Sequence, residues 1–422
     1  MTVVPEQDTR EDYRHSFQII GTGWLGTGIA LGILNLPLSL LLKEQMHLSA
    51  YSLSLFMTIG SIPTYIKPLL GILSDAVPLF GTHRRHYLLL GCLLSSICFL
   101  ALALVERQFH ILLGTFFFLT IQLVLVSTVQ GGLMVDVGKM HKATGRLTAQ
   151  RVAINRSEGL FSGFVGANLA KCAFLLPMSI SATLYGLLTL LYLFCFKEPR
   201  SKSIRSEVPK DALRQFHVML HSGTLWSAAG LVALVIAAPG FGTAMLYHQR
   251  DVLHFSTDFL GYLALMQGGF GIIGALLYAR WCRKYTLRQL LVYSILVHAT
   301  GTLFYLGYKN EASALGIAAL EGIAQTLAIL PLYDLAARAT PKGSEALAYS
   351  VMMSVWNLTN SLSNLFGSYL YDVVHLTIMK LVWLNAGTTI LVLLAVPFLP
   401  HSLMSRREGE DDSVKMTDSV KE

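Results

Sequence analysis

Apolar runs of membrane-crossing length recur along almost the whole chain, and no other feature narrows its possible folds so far. A helix crosses a bilayer core in about 20 residues at ~1.5 Å rise per residue. Twelve such runs fall approximately at 17–42, 49–73, 86–105, 110–135, 152–176, 178–196, 224–248, 257–279, 288–307, 312–336, 344–371 and 377–399. The fifth and sixth meet at Pro177. Of 422 residues, 53% are hydrophobic and only 14% charged, whereas soluble proteins carry roughly a quarter charged residues. The expected solvent is lipid.

The first sixteen residues are polar and mixed in charge, without the basic start and cleavage site of a signal peptide. The first run is therefore expected to stay as an uncleaved span. Cys92, Cys98, Cys172, Cys195 and Cys282 are scattered with no ligand-like spacing, which suits buried structural cysteine rather than a disulfide or metal site.

Net charge is +7, and its distribution says more than its sum. Even-numbered loops and both termini hold the basic clusters, among them Arg84-Arg85, Lys139–Arg151, Lys197–Arg214 and Arg280–Arg288. The opposite loops offer Lys43, Arg107, Arg250, Lys309 and Lys380. This is the positive-inside pattern: both termini are expected in the cytoplasm and the span count is even. The basic balance reads as topology and attraction to anionic lipid, with no nucleic-acid partner.

The longest polar connection, Lys197–Ser222, divides the spans six and six. The expected organisation is a cytoplasmic N-terminal segment (1–16), a six-helix bundle (17–196), a cytoplasmic linker (197–222), a second bundle (223–400) and a disordered tail (401–422). Asp211–Leu220 suits a short amphipathic helix at the membrane surface. The halves echo one another: Gly71-Ile-Leu-Ser-Asp75 leading to Arg84-Arg85 has a counterpart in Gly274–Arg280 leading to Arg283-Lys284. Repeats of this sort place a substrate between the halves near the midplane. The fold class is all-α integral membrane, twelve transmembrane helices in two six-helix pseudo-symmetric bundles.

Three segments resemble the folate–biopterin transporter family of the major facilitator superfamily. The first is Lys67-Pro68, Gly71, Ser74-Asp75, Pro78 and Phe80-Gly81; the second is Val135-Asp136 with Thr144-Gly145-Arg146-Leu147; the third is Pro341–Glu345 followed by Asn357. His141 stands where relatives commonly carry a glutamate. The resemblance implies the major facilitator fold and uptake of folates or pteridines, typically with protons.

Candidate residues follow from charge placed where charge is costly. Asp75 is expected to latch a cytoplasmic gate against the helix start near Ser344 and Glu345, with Arg84 and Arg85 bracing the turn or acting as positive-inside anchors. Lys67, about two turns inside its span, either snorkels or attracts an anionic substrate or pairs with Asp136. Arg156 suits bidentate capture of a carboxylate, or an interfacial structural role. Glu321, ~14 Å into the tenth span, is a candidate proton carrier or partner for a pterin ring's donor edge, or an acid satisfied by a neighbouring helix; Asp136 is the second candidate proton carrier. Asn357, Asn360 and Asn364 share one face of the eleventh span, beside Trp356, which could stack a flat ring or pack on a helix. Pro239-Gly240-Phe-Gly242 suggests a hinge in the seventh span, and the first span's glycines suggest close helix packing.

No hydrolase, zinc or Walker motif is present, so the expected protein is not an enzyme, needs no cofactor and is driven by gradients. The leading expectation is a monomeric, proton-coupled secondary transporter of a folate- or pteridine-like organic anion, working by alternating access in a bacterial inner membrane. The alternatives are a carrier or exporter of an unrelated metabolite, a non-transporting receptor on the same fold, and a plasma or plastid envelope membrane.

Overall fold

The computed structural model describes residues 6–141, 147, 150, 151, 154, 165–198, 207–341, 345–399 and 404, with side chains left out at 6–12, 139, 207–209, 345 and 346. The described residues are almost wholly helical. Helix α1 (Glu6–Leu40) ends in a π-turn, Leu41–Gln45. The second expected span is three pieces, α2 (Ala50–Gly60), α3 (Ile62–Tyr65) and α4 (Lys67–Ala76). Pro63 and Pro68 each open a piece, because proline has no N–H for an interior helical bond and fits the first turn. Helices α5 (Arg85–Leu104), α6 (Phe109–Met140) and α7 (Leu175–Phe194) follow.

Helix α8 (Glu207–Leu220) meets α9 (Gly223–Ile236) at 74°, and packs against α4, so the linker does contain the expected short helix. The seventh expected span is broken after α9 and resumes as α10 (Gly242–Tyr247) with a π-turn, His248–Val252. The chain then runs through α11 (Thr257–Trp281), α12 (Leu287–Phe304), α13 (Glu311–Arg338), α14 (Glu345–Asp372) and α15 (Ile378–Leu391), the last prolonged by a 3-10 turn, Val392–Phe398. Helix α1 starts at Glu6, so polar residues expected to precede the first span form its opening turns.

Among the described residues, eight helices are long and apolar enough to cross a membrane. The expected spans that are not among them have separate reasons. The second and seventh are broken at proline. Twelve of the fifth span's 25 residues, Asn155, Arg156 and Glu158 among them, lie outside the described residues, as does the expected tail after Pro400 apart from Met404. The eleventh, α14, carries three asparagines and many serines.

Buried and exposed faces are inverted relative to a soluble protein. Ser54, Ser74, Ser95, Ser181 and Ser368 are buried, while Phe118 is 62% and Leu394 70% exposed. One apolar core joins α1, α2, α5, α6 and α7 around Phe56, Phe99, Tyr185 and Tyr192. Two others join the later helices, around Leu225, Leu291 and Leu335, and around Phe259, Leu263 and Leu381. Helix α14 also packs along α2, α3 and α4. The first-span glycines do admit neighbours: a Cβ on Gly26 would sit 3.1 Å from Leu188 of α7, and one on Gly23 would overlap the Tyr192 hydroxyl.

Candidate functional site

The turn between α4 and α5 organises one end of the molecule. Leu79 and Thr82 exchange backbone hydrogen bonds of 2.8 and 3.0 Å across Phe80 and Gly81, both at positive φ (47° and 85°). That is a type I′ turn, which Gly81 suits and Phe80 does not. It delivers Arg84 over α6, where the guanidinium lies against Gly132: a Cβ there would be 2.6 Å from Arg84 Cζ. Arg84 joins Asp75 (2.5 Å) to Asp136 (3.0 Å) and donates to Ser74 Oγ at 3.2 Å. Burial works against its charge, but the two carboxylates outweigh it and hold its pKa above the usual value. Glu198 accepts from the backbone N–H groups of His83, Arg84 and Arg85 at the start of α5, a carboxylate at a helix N-terminus where donors and dipole favour it. Arg85 donates to Leu193 O at 2.8 Å.

The expected partner of Asp75 near Ser344 lies outside the described residues, as does the Glu345 side chain. The partner observed is Arg84. Asp136 belongs to the same cluster, with its side chain 55% exposed, and is not paired with Lys67.

A second cationic group sits deeper. Lys67 Nζ, at the start of α4, donates to Ser127 Oγ of α6 at 3.1 Å. Arg151 lies within electrostatic range of Lys67 and of Tyr349 on α14, with its guanidinium 4.3 Å from the Trp24 ring centroid. Two cations, an indole face and a phenol thus converge: Arg151 meets Trp24 of α1, Lys67 of α4 and Tyr349 of α14. The sequence reading passed over Arg151 as one of many cytoplasmic basic residues, and offered Arg156, which is outside the described residues.

On α13, Glu321 is buried, its Oε2 3.2 Å from where a Cβ on Gly301 of α12 would lie. Among the described residues it has no hydrogen-bond or ion-pair partner, though it lies within electrostatic range of Tyr305. Trp356 packs on Tyr333 with ring centroids 4.9 Å apart. Asn357 and Asn360 have no side-chain hydrogen bonds among the described residues. Asn364 differs from them: it accepts from Thr243 N at 3.2 Å and donates to Thr243 Oγ1 at 2.7 Å and Ser54 Oγ at 3.2 Å.

The opposite end is closed by a clasp that the sequence reading missed. Lys43 pairs with Asp251, and Arg250 with Glu44 at 2.6 Å. The pairing is reciprocal because Lys43-Glu44-Gln-Met-His47-Leu-Ser49 and Arg250-Asp251-Val-Leu-His254-Phe-Ser256 carry the same pattern. In both copies a π-turn presents the charges, the histidine sits at positive φ (51° and 53°) and the serine caps the next helix. The repeated spacing was the available signal. Tyr247 donates to Leu48 O, Lys43 lies 4.5 Å from the Tyr247 ring centroid, and Ser54 bonds Thr243 and Ser368 just below.

Comparison with known proteins agrees with this architecture. A D-xylose-proton symporter superposes with a TM-score of 0.71 at 16% identity, covering 92% of this chain and 99% of that one. A nucleoside transporter, NupG, does so with a TM-score of 0.69 at 12% identity, covering 91% and 98%. These show the fold. A folate-biopterin transporter of Synechocystis sp. is 26% identical over 390 residues, 87% of this chain and 78% of that protein. Folate transporter 1 of Plasmodium falciparum is 24% identical over 370 residues, 81% and 70% respectively. The family described as BT1 family matches residues 27–418. The chain is a multi-pass membrane protein of a transporter family, not an enzyme: it belongs to the BT1 family.

Proposed function

We propose that this chain is a twelve-span secondary transporter in two six-helix halves, with cytoplasmic termini, that moves a folate- or pteridine-like organic anion by alternating access. The relatives named as folate and folate-biopterin transporters supply the substrate class. The observation that carries it is the convergence of Lys67 and Arg151 with Trp24. An ammonium and a guanidinium brought within electrostatic range of each other make a positive place that attracts an anionic group. A bidentate guanidinium and an ammonium suit a carboxylate, and the indole suits an aryl ring beside it.

In this reading Arg84, Asp75 and Asp136 form the cytoplasmic gate, and Lys43, Glu44, Arg250 and Asp251 close the outer one. Protons are the coupling ion. Glu321 carries them: it is a buried carboxyl with no hydrogen-bond or ion-pair partner among the described residues, and so can take up and release a proton. Asp136, held by Arg84, serves the gate. The chain works as a monomer in a bacterial inner membrane.

The test is uptake of labelled folate into proteoliposomes by the wild type, Lys67→Met and Arg151→Met. Loss of either cation raises the KM for folate by about tenfold or more, the loss of one charge-assisted hydrogen bond. Wild-type vesicles that take up neither folate nor biopterin would overturn the substrate class, and unchanged KM in both variants would overturn the anion site.

A further inference from the structure

A cavity of about 300 Å³ lies between α1 and the later helices, below the Lys43–Asp251 clasp. Its polar lining is Asn35, Gln249, Gln267, Tyr305 and Tyr308, and among the described residues that line it none is charged. Gly32 of α1 and Ala318 of α13 keep the walls thin. Tyr305 and Tyr308 are stacked, centroids 5.5 Å apart at 21°, and Phe241 meets Tyr305 edge-on at 5.2 Å. Gln249 Nε2 donates to Tyr308 Oη at 2.7 Å, leaving its carbonyl oxygen uncommitted. Gln267 and Gln325 are joined only by a long 3.4 Å contact. The Asn35 amide has no hydrogen-bond partner among the described residues.

We infer that this cavity binds the flat heterocyclic head of the substrate, while Lys67 and Arg151 bind its anionic tail. The inference rests on the proposed transport of folates or pteridines and divides that substrate between two places. Primary amides present an N–H donor and a carbonyl acceptor side by side, the complement of a pterin edge, where amino, lactam and ring-nitrogen groups alternate. Ring faces of the tyrosine pair offer an aromatic wall. The volume is at the small end for ligand pockets, about 300–1,000 Å³, so it suits a bicyclic ring and not a whole folate. An uncharged lining gives a carboxylate nothing, and leaves it to the cations.

The spacing fits the division. Asn35 in the cavity and Trp24 beneath Arg151 are eleven residues apart on α1, about 16 Å at helical rise. A pterin alone fills only the first place. A pterin joined through an aryl linker to glutamate extends from one to the other.

Equilibrium binding to the purified full chain tests this, with biopterin, folate and the aryl-glutamate fragment of folate as probes. Asn35→Leu and, separately, Gln267→Leu keep roughly the side-chain size and remove the amide. Each weakens biopterin and folate about tenfold and leaves aryl-glutamate affinity within about twofold, while Arg151→Met does the reverse for biopterin and aryl-glutamate. Retained aryl-glutamate binding also reports that the variants are folded; if one leucine variant loses it, Gln249→Met supplies the same comparison. Biopterin bound as tightly by these variants as by the wild type overturns the head site while the transport reading stands. A wild type that binds neither folate nor biopterin removes both.

Discussion

At the scale of single residues, Arg84 shows how much chemistry one side chain can gather. It answers Asp75 and Asp136 at once, and its guanidinium occupies space that any Cβ at position 132 would take. Gly132→Leu should therefore expel it as effectively as Arg84→Met removes it. Both should cut folate uptake severalfold and raise the reactivity of cysteines introduced on the cytoplasmic side. The carboxylates are about half exposed, so the cost in stability is modest, about 1–2 kcal/mol, read as a lower melting temperature in detergent. Unchanged cysteine reactivity in Gly132→Leu would count against a gate. Asp75 and Arg84 stand out in the sequence as a set because they sit nine residues apart across one turn, but Asp136 as their third member was not legible: the sequence offered it to Lys67 instead. Nor was Arg151: the positive-inside rule gives every basic residue near a helix start the same reading, and only the fold puts this one over Trp24 of α1.

At the scale of elements, the breaks matter more than the helices. Between α9 and α10 the backbone around Pro239 is not left to lipid: Asn385 Nδ2 donates to Pro239 O at 3.0 Å, Gly240 N to Ser363 O at 3.1 Å, and Ser363 Oγ to Ala238 O at 2.6 Å. Neighbouring helices thus satisfy what the proline frees, the condition under which irregular backbone is tolerated inside a membrane. The approach is so close that a methyl group on Gly367 would overlap the Gly240 carbonyl oxygen. Gly367→Ala should destabilise the protein by about 1–3 kcal/mol through overpacking, visible as a fall in melting temperature; no fall would mean that α14 and the break do not touch so closely. The break could be read from Pro239-Gly240, because proline and glycine carry their backbone consequences locally. The division of the second span at Ser61 and Ile66 was less plain, since Pro63 and Pro68 sit within an otherwise apolar run that reads as one span over 49–73.

At the scale of the molecule, the clasp ties the end of α1 to the turn after α10, and in the proposed function it is the closed outer gate. Its two ion pairs, Lys43–Asp251 and Glu44–Arg250, cross between copies of one motif offset by 207 positions, so the repeat pairs with itself. The repeat was present in the sequence, outside the spans, where apolar periodicity gives no prompt to look. Lys43→Glu should destabilise the outward-closed form and increase labelling of a cysteine at position 35 from outside; adding Asp251→Lys should restore the wild-type pattern. A double-mutant cycle on these partly exposed charges should give a coupling of about 1 kcal/mol. Absence of rescue would show that the pair does not hold the gate.

The central claim is transport of a folate-like anion driven by protons through Glu321, and one experiment addresses it directly. Proteoliposomes holding the wild type or Glu321→Gln are given an inward proton gradient, and accumulation of labelled folate is compared with folate counterflow in its absence. The account predicts gradient-driven accumulation by the wild type, and counterflow without accumulation by Glu321→Gln. Accumulation by Glu321→Gln equal to the wild type, or wild-type uptake indifferent to the gradient, would contradict it.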